Sequence, residues 1–450
     1  MKPSAGSGPV TLAIMGCGQR GRAYAVYAQQ HPERCKIVAV AEPRPKTRAR
    51  MVQEHTVDSS LTFKSWQAFH AASEETIVTI GRRLADAVLI AVQDHMHAEL
   101  VEAFAAQGYH ILCEKPMATS IPHCLRIEES IKKAGVIFGM GHVLRYSPYS
   151  QAITEIVRSG QLGDLVNVVH IEPIGHTHFA HSYVRGNWAR EMDSSFSLMT
   201  KSCHDIDIIC SWLSPEKPER VSSFGGLRHF RKEAKPTTAG DSTRCLSCPA
   251  ERSCPYSAKK SNVVYLEPVQ AGKTGWPAAV IVDGIADIEN VTDALHSGPY
   301  GQCVYESRND VCDNQVVNIQ FSSGATASFT MVAYTLLQCE RQTRLHFTHG
   351  EIVGDMTDFT VTDFRTGATE KRSPMREGGG HGGGDLGLIR AFTEAVRTGR
   401  QELLGTDVTE VLSSHLTVFA AEESRRKGVT VDCGQFERKA REGWLLTGKQ

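Results

Sequence analysis

The sequence lacks what would place it in a membrane or on a nucleic acid. No segment approaches about eighteen uninterrupted apolar residues, the length a membrane-crossing helix needs. Neither sign of charge dominates. The 49 Lys and Arg against 50 Asp and Glu leave a formal net charge of -1, with no long basic block, so neither nucleic acid nor an anionic bilayer is an expected partner. The stretch Met1 to Pro9 has no apolar centre, and no signal peptide is expected. There is no internal repeat. Cysteine is present, but 13 is an odd number, and most (Cys35, Cys113, Cys210) sit in apolar or strand-like runs. That usage reads as reduced thiols in a cytoplasmic protein and not as a disulfide framework. What remains is ordinary for a globular enzyme: 450 residues, 41% apolar and 22% charged, enough for two or three domains.

The first ~145 residues alternate β-rich runs (10–15, 37–41, 87–92, 109–113 and 136–140) with helical patterns, which predicts a doubly wound parallel sheet covered by helices. After Tyr146 the texture changes. Runs at 166–171, 315–321, 326–332 and 344–348 alternate with period two, and 199–213 reads as an amphipathic helix. The expectation is an α/β chain: a parallel-sheet domain over 1–145, then an α+β domain with a mainly antiparallel sheet over 146–450. A polar, cysteine-bearing insertion falls at about 228–260. The glycine-rich run 377–385 precedes a helix at 386–396. It reads either as a lid carrying His381 or as a solvated hinge.

Three motifs carry chemistry. Gly16-Cys17-Gly18-Gln19-Arg20-Gly21 follows the first strand and opens a helix. Its glycines permit a tight turn, close approach of backbone to a pyrophosphate, and helix-on-strand packing. Glu42, at the end of the second strand, is placed to accept from ribose hydroxyls and favours NAD. Arg44 is placed to stack on adenine or to pair with a 2′-phosphate, which keeps NADP open. Gln93, His95 and His97 follow a strand and are expected to line the cofactor crevice, with helix entry and Asp94 as N-cap the plain alternative. Glu114-Lys115-Pro116 ends a later strand. Proline biases Lys115 toward an extended backbone, so its amine leaves the strand end in a defined direction, able to bind a substrate oxygen or steady alkoxide charge. Finally, Cys245, Cys248 and Cys254 give three soft ligands in a core-poor segment. Either a structural zinc, with His229, Cys303 or Cys312 as fourth ligand, or plain thiols or a local disulfide accounts for them.

Taken with Arg145-Tyr146-Ser147-Pro148 and the His204 segment, these motifs resemble the Gfo/Idh/MocA oxidoreductases across essentially the whole chain. The resemblance implies an N-terminal Rossmann domain and a C-terminal domain on an open, mainly antiparallel sheet that supports homodimers or homotetramers. It also implies NAD(P)-dependent redox chemistry on a sugar, cyclitol or related polyol. Lys115 and His204 are then catalytic, with His204 the general base. Glu114 joins the cofactor site, and Arg145, Tyr146, Arg185, Trp188 and Lys201 the substrate site, with His142, His176, His178 and His181 further pocket candidates. The family's usual Asp-x-Gly-x-His-x-x-Asp is altered here: Thr200 and Ser202 stand at its aspartate and glycine positions, and Asp207 at its last. A redox-neutral glycosidase with tightly held NAD and a non-catalytic nucleotide-binding regulator are the alternatives.

Overall fold

A computed structural model describes residues 8–259, 265–375 and 378–447. Residues 1–7 of the N-terminal stretch, Lys260 at the end of the expected insertion, and Glu377 of the glycine-rich run lie outside the described residues.

Six parallel strands form the first sheet: β1 (Val10–Met15), β2 (Cys35–Ala41), β3 (Thr62–Phe63), β4 (Ala87–Ile90), β5 (His110–Cys113) and β6 (Phe138–Met140), in the order β3-β2-β1-β4-β5-β6. The central strands are short apolar runs buried on both faces, as a sheet covered by helices on each side requires. The covering helices start and stop on local signals. In Trp66–Ile80, for example, Ser65 accepts from the Ala68 amide and Gly81 closes the helix in the left-handed region.

Nine strands form the second sheet: β7 (Leu165–Pro173), β8 (Pro218–Gly226), β9 (Asn314–Phe321), β10 (Thr326–Val332), β11 (Gln342–Phe347), β12 (Gly350–Gly354), β13 (Phe359–Asp363), β14 (Ala368–Arg372) and β15 (Val431–Asp432). Their order is β14-β13-β12-β11-β7-β10-β9-β8-β15, and every neighbouring pair is antiparallel except β7 with β10. On β9 and β10 buried residues alternate with partly exposed ones, so one face is core. The helix Ser197–Leu213 packs against this sheet, and all its residues but Cys210 are buried.

The parallel and antiparallel sheets follow the sequence expectation. The insertion is longer than expected: 227–313 separates β8 from β9, and its described residues are irregular chain with three short α-helices and three single 3-10 turns. The 1–145 boundary is also crossed. Helix Gly384–Thr398 buries Leu388, Ile389 and Phe392 with Leu12, Ile14 and Tyr24 on one face of the parallel sheet. Helix Val408–Lys427 buries Val411, Leu412 and Leu416 with Ile111 and Cys113 on the other. The chain returns to complete its first domain.

Three buried histidines make this fold sensitive to acid. Burial pushes His110 down to about 4 and His181 and His415 down to about 3. His110 and His415 also spend a ring lone pair on the amides of Ile137 and Met117. Above the ordinary value of 6.5 all three are neutral in both states. Below it the unfolded chain binds protons that the folded chain refuses. Denaturant titrations should therefore show stability falling as the pH drops from 6.5 toward 4, before carboxylate protonation contributes. A flat profile over that window would contradict the buried, neutral assignment.

Candidate active site

The glycine turn lies at the carboxyl end of β1, in the crevice where parallel sheets of this kind bind nucleotides. Gly16 has φ +92°, and a Cβ there would stand 2.4 Å from the Ala91 carbonyl oxygen. A Cβ on Gly21 would stand 2.2 Å from the Gly16 oxygen. Gly18, by contrast, faces open space, with only an Arg44 nitrogen within 3.5 Å. It is the N-cap of helix Gln19–Gln30 and supplies no side-chain cap, so the first-turn amides stay open to an anion. This cradle fits a dinucleotide's pyrophosphate.

Glu42, buried at the end of β2, accepts from the Cys17 amide at 2.9 Å and from Arg44 Nε and Nη2 at 2.8 and 3.0 Å. Burial works against its charge, but the Arg44 and Cys17 donors outweigh it and hold the carboxyl below the usual range. The two residues expected to contact the nucleotide's adenosine end thus pair with each other. Burial beside Glu42 pushes the Cys17 thiol up to about 12, so that residue contributes its backbone. Gln19, Gln93 and His95 are exposed near the crevice. His97 is not on the crevice surface: it is fully buried and its Nδ1 lies 2.7 Å from the Pro116 carbonyl, bracing the turn after Lys115.

Arg20 is turned inward. Its Nε donates to Glu114 at 2.7 Å, and Nη1 and Nη2 grip both oxygens of Asp385 at 2.9 Å. Tyr24 donates to the same Glu114 oxygen at 2.6 Å, and the Lys115 amide donates to the other at 2.9 Å. Asp385 in turn holds His381 Nδ1 at 3.0 Å, and the His381 ring meets His204 edge-on at 5.7 Å. The glycine-rich run therefore places a histidine at the cleft.

Lys115 Nζ donates to the Thr200 carbonyl and stands 6.0 Å from the Trp188 ring. Trp188 is steadied by Asp94, which accepts from its Nε1 at 2.8 Å and from Ser194 Oγ at 2.5 Å. On the Ser197–Leu213 helix, Lys201 pairs with Glu172 at 2.9 Å and Cys339 Sγ at 3.0 Å. Burial opposes the Lys201 ammonium, but Cys339 and Glu172 hold its pKa above the ordinary lysine value.

Arg341, just before β11, was not anticipated from sequence. It pairs with Glu172 at 2.5 Å and Asp205 at 2.9 Å, and its Nη2 donates to His204 Nε2 at 2.8 Å. Burial, with help from Arg341 and Lys115, lowers the His204 pKa well below the usual imidazole value despite Asp205. The neutral ring therefore accepts at Nε2 and carries its proton on Nδ1, a buried atom with no protein partner. The lone pair a general base needs is already in use.

Other expected site residues point elsewhere. Arg145 spends its guanidinium on Asp207 at 2.6 and 2.9 Å and on Glu410 at 3.1 Å, and Tyr146 donates to the Leu404 carbonyl. Asp207 is drawn off the His204 face by this pairing. Arg185 holds the insertion, donating to Gln302 and Tyr256 carbonyls and to Cys245 Sγ. His176 and His181 contact Thr335 and Tyr265, while His178 joins Cys339 at 3.3 Å. His142, Cys203 and His415 lie within 4.8 Å of one another, a metal-like grouping. They cannot act as one, because His415 accepts from the Met117 amide and donates to Val411. Cys245, Cys248 and Cys254 line one cavity together with Cys303, but no three of these sulfurs come within 4.8 Å.

Residues 10–142 match the profile of an oxidoreductase family with an NAD-binding Rossmann fold, GFO_IDH_MocA. The chain is 24% identical over 217 residues to 2,7-anhydro-N-acetylneuraminate hydratase of Escherichia coli (strain K12), covering 48% of this chain and 53% of that protein. It is 29% identical over 164 residues to inositol 2-dehydrogenase 1 of Saccharopolyspora erythraea, covering 36% and 45%. These alignments span about half of each relative. The fold matches the crystal structure of aldose-aldose oxidoreductase from Caulobacter crescentus complexed with glycerol, with TM-score 0.63, 17% identity, and 94% and 99% of the two chains covered.

Arg341→Met should leave Asp205 with no full cation and unlock the His204 ring. Removing one partner of a buried ion pair costs about 3–5 kcal/mol. Equilibrium unfolding should register a loss of that size, and a variant as stable as the parent would show that the guanidinium is not the anchor described.

Proposed function

Starting from the membership of its N-terminal domain in the Gfo/Idh/MocA oxidoreductase family, we propose that the protein is an NAD(P)-dependent oxidoreductase. It moves a hydride to or from a secondary alcohol or ketone carbon of a sugar, cyclitol or related polyol. The single observation carrying this reading is Lys115, whose Nζ reaches the His204 helix from the strand end beside the glycine cradle. Inositol and aldose enzymes among its relatives support the substrate class. Glu42 favours NAD over NADP, since its ionised carboxylate repels a 2′-phosphate, and the exposed Arg44 is the partner that ribose hydroxyls would replace on it.

When bound, the nicotinamide supplies the hydride acceptor or donor. The chain's residues handle the oxygen. Lys115 Nζ, leaving the Thr200 carbonyl, binds the reacting oxygen and balances the negative charge that develops on it. In the reducing direction the ammonium gives that oxygen its proton, and in the oxidising direction the amine takes it back. His204 presents Nδ1–H to the same oxygen as a fixed donor, because Arg341 occupies Nε2. Trp188 offers an apolar platform for a ring, and Lys201 a further donor. The thirteen free thiols fit a reducing cytoplasm, and the outer face of the second sheet, which exposes Val166 and Phe224, fits a homodimer or homotetramer contact.

A redox-neutral course, in which transient oxidation permits elimination at a neighbouring carbon, is favoured by the hydratase relative. It is recognised by turnover without net NADH.

A screen of NAD(H) and NADP(H) against inositols, inososes and hexoses tests the whole reading, and absence of both turnover and cofactor binding would defeat it. Lys115→Met should lower kcat by about 10²–10⁴-fold while cofactor Kd holds. For His204 the comparison is between asparagine, whose amide NH₂ stands where Nδ1–H was, and alanine. His204→Asn should retain kcat within about tenfold, the worth of one hydrogen bond, and His204→Ala should fall further. Equal, large losses in both would restore His204 as the base.

A further inference from the structure

The mechanism leaves one cluster unused. Four cysteines, Cys245, Cys248, Cys254 and Cys303, line a single cavity in the 227–313 insertion, and all four thiols are free. We propose that these four residues bind one zinc ion, with Cys303 the fourth ligand and Arg185 the counter-charge.

The backbone brings the set together from two stretches about fifty residues apart. Arg244 and Gln302 form an antiparallel bridge, with the Cys245 amide donating to Gly301 at 2.9 Å and the Cys303 amide to Thr243 at 2.8 Å. Cys245 and Cys303 flank that bridge and so emerge on the same side of it, because side chains alternate along paired strands. The Cys248 amide turns back to the Cys245 carbonyl at 3.2 Å, and the Cys254 amide to Ala250 at 3.0 Å, two tight turns that present both remaining thiols to the cavity.

An orphaned donor points the same way. Arg185 is 3% exposed, its Nη2 donates to Cys245 Sγ at 3.2 Å, and its Nη1 has no partner. A buried guanidinium nitrogen without an acceptor is costly, and anionic sulfur is the acceptor this cavity offers. Four thiolates around a dication carry a net charge of -2, which Arg185 partly offsets.

The segment also needs a staple. Among the described residues its own core comprises nine buried apolar residues, Cys245 itself included, and its α-helices have five, four and ten residues. Small units with so little core depend on metals or disulfides. The sulfurs now stand wider than a closed site, in which a Zn–S length of about 2.3 Å sets them roughly 3.8 Å apart. Binding therefore requires the thiols to rotate inward about Cα–Cβ, a change of rotamer that leaves the backbone in place.

The test uses the full-length protein purified without added metal. Elemental analysis should find one zinc per chain. Cys303→Ser should lose most of it, while Cys312→Ser, a buried cysteine outside the cavity, keeps it. Should Cys303→Ser fail to fold, thiol titration of the native parent decides instead: chelation should release zinc and expose four further reactive thiols. Parent protein without stoichiometric zinc, iron with acid-labile sulfide in its place, full zinc in Cys303→Ser, or chelation that exposes no new thiols would each overturn the assignment. None of these readouts depends on turnover.

Discussion

The buried guanidinium of Arg341 is the constraint on which the cleft depends. It stands among Glu172, Asp205 and His204, with Lys201 completing the group, so two cations face two carboxylates and the imidazole is left uncharged. Any other balance would leave a full charge unpaired in a nearly water-free interior, at a cost of several kcal/mol. The balance fixes more than stability. It orients the His204 ring and leaves its proton on Nδ1, while Lys115 reaches the same helix from the other domain.

That helix is held from the opposite side by polar contacts crossing the cleft. Lys115 meets Thr200, Asp94 holds Trp188 and Ser194, and Arg20 joins the glycine turn to Glu114 and Asp385. The insertion adds another contact: Asp283 accepts from the Thr47 amide and hydroxyl, next to Arg44 at the adenosine end of the crevice. Besides Lys115 and Trp188 themselves, parts that would touch phosphate, ribose and substrate are thus connected through Asp94, Glu114, Asp385 and Asp283, which touch none of them. Positions in such a network are set by charge pairing, which tolerates little displacement of any single member.

How much of this was legible follows from sequence distance. The glycine turn, Glu42 and the Glu114–Lys115 strand end were readable because each is a local pattern in which neighbouring residues do one job. Arg341 and Asp385 were not, because their partners His204 and Arg20 lie 137 and 365 residues away, and no spacing rule connects them. Arg145 and Arg185 show the converse. Their residue types suited a polyol pocket, but nothing in the local sequence says which way a guanidinium turns, and Asp207 and the insertion claimed them. The second sheet was recognised from its buried strands. Its edge strand β14 carries exposed Thr369, Glu370 and Lys371 and lacks the apolar alternation that betrays a strand. The glycine-rich run read as loose chain, while its order comes from Asp385, a contact that composition does not reveal.

The chain's return to its first domain has a consequence for biosynthesis. Both faces of the parallel sheet are closed by helices beyond residue 383, so the first strands leave the ribosome long before their cover exists. At about 5–20 residues per second the interval is of the order of tens of seconds. During it Leu12, Ile14 and Phe138 have no complete core to join, and the contacts that finally bury them span most of the chain. Such long loops close late and slowly. The stretch that carries the nucleotide motif is therefore a recognisable module without being an autonomous folding unit, and its last stage of assembly waits until residues 384–427 have been made.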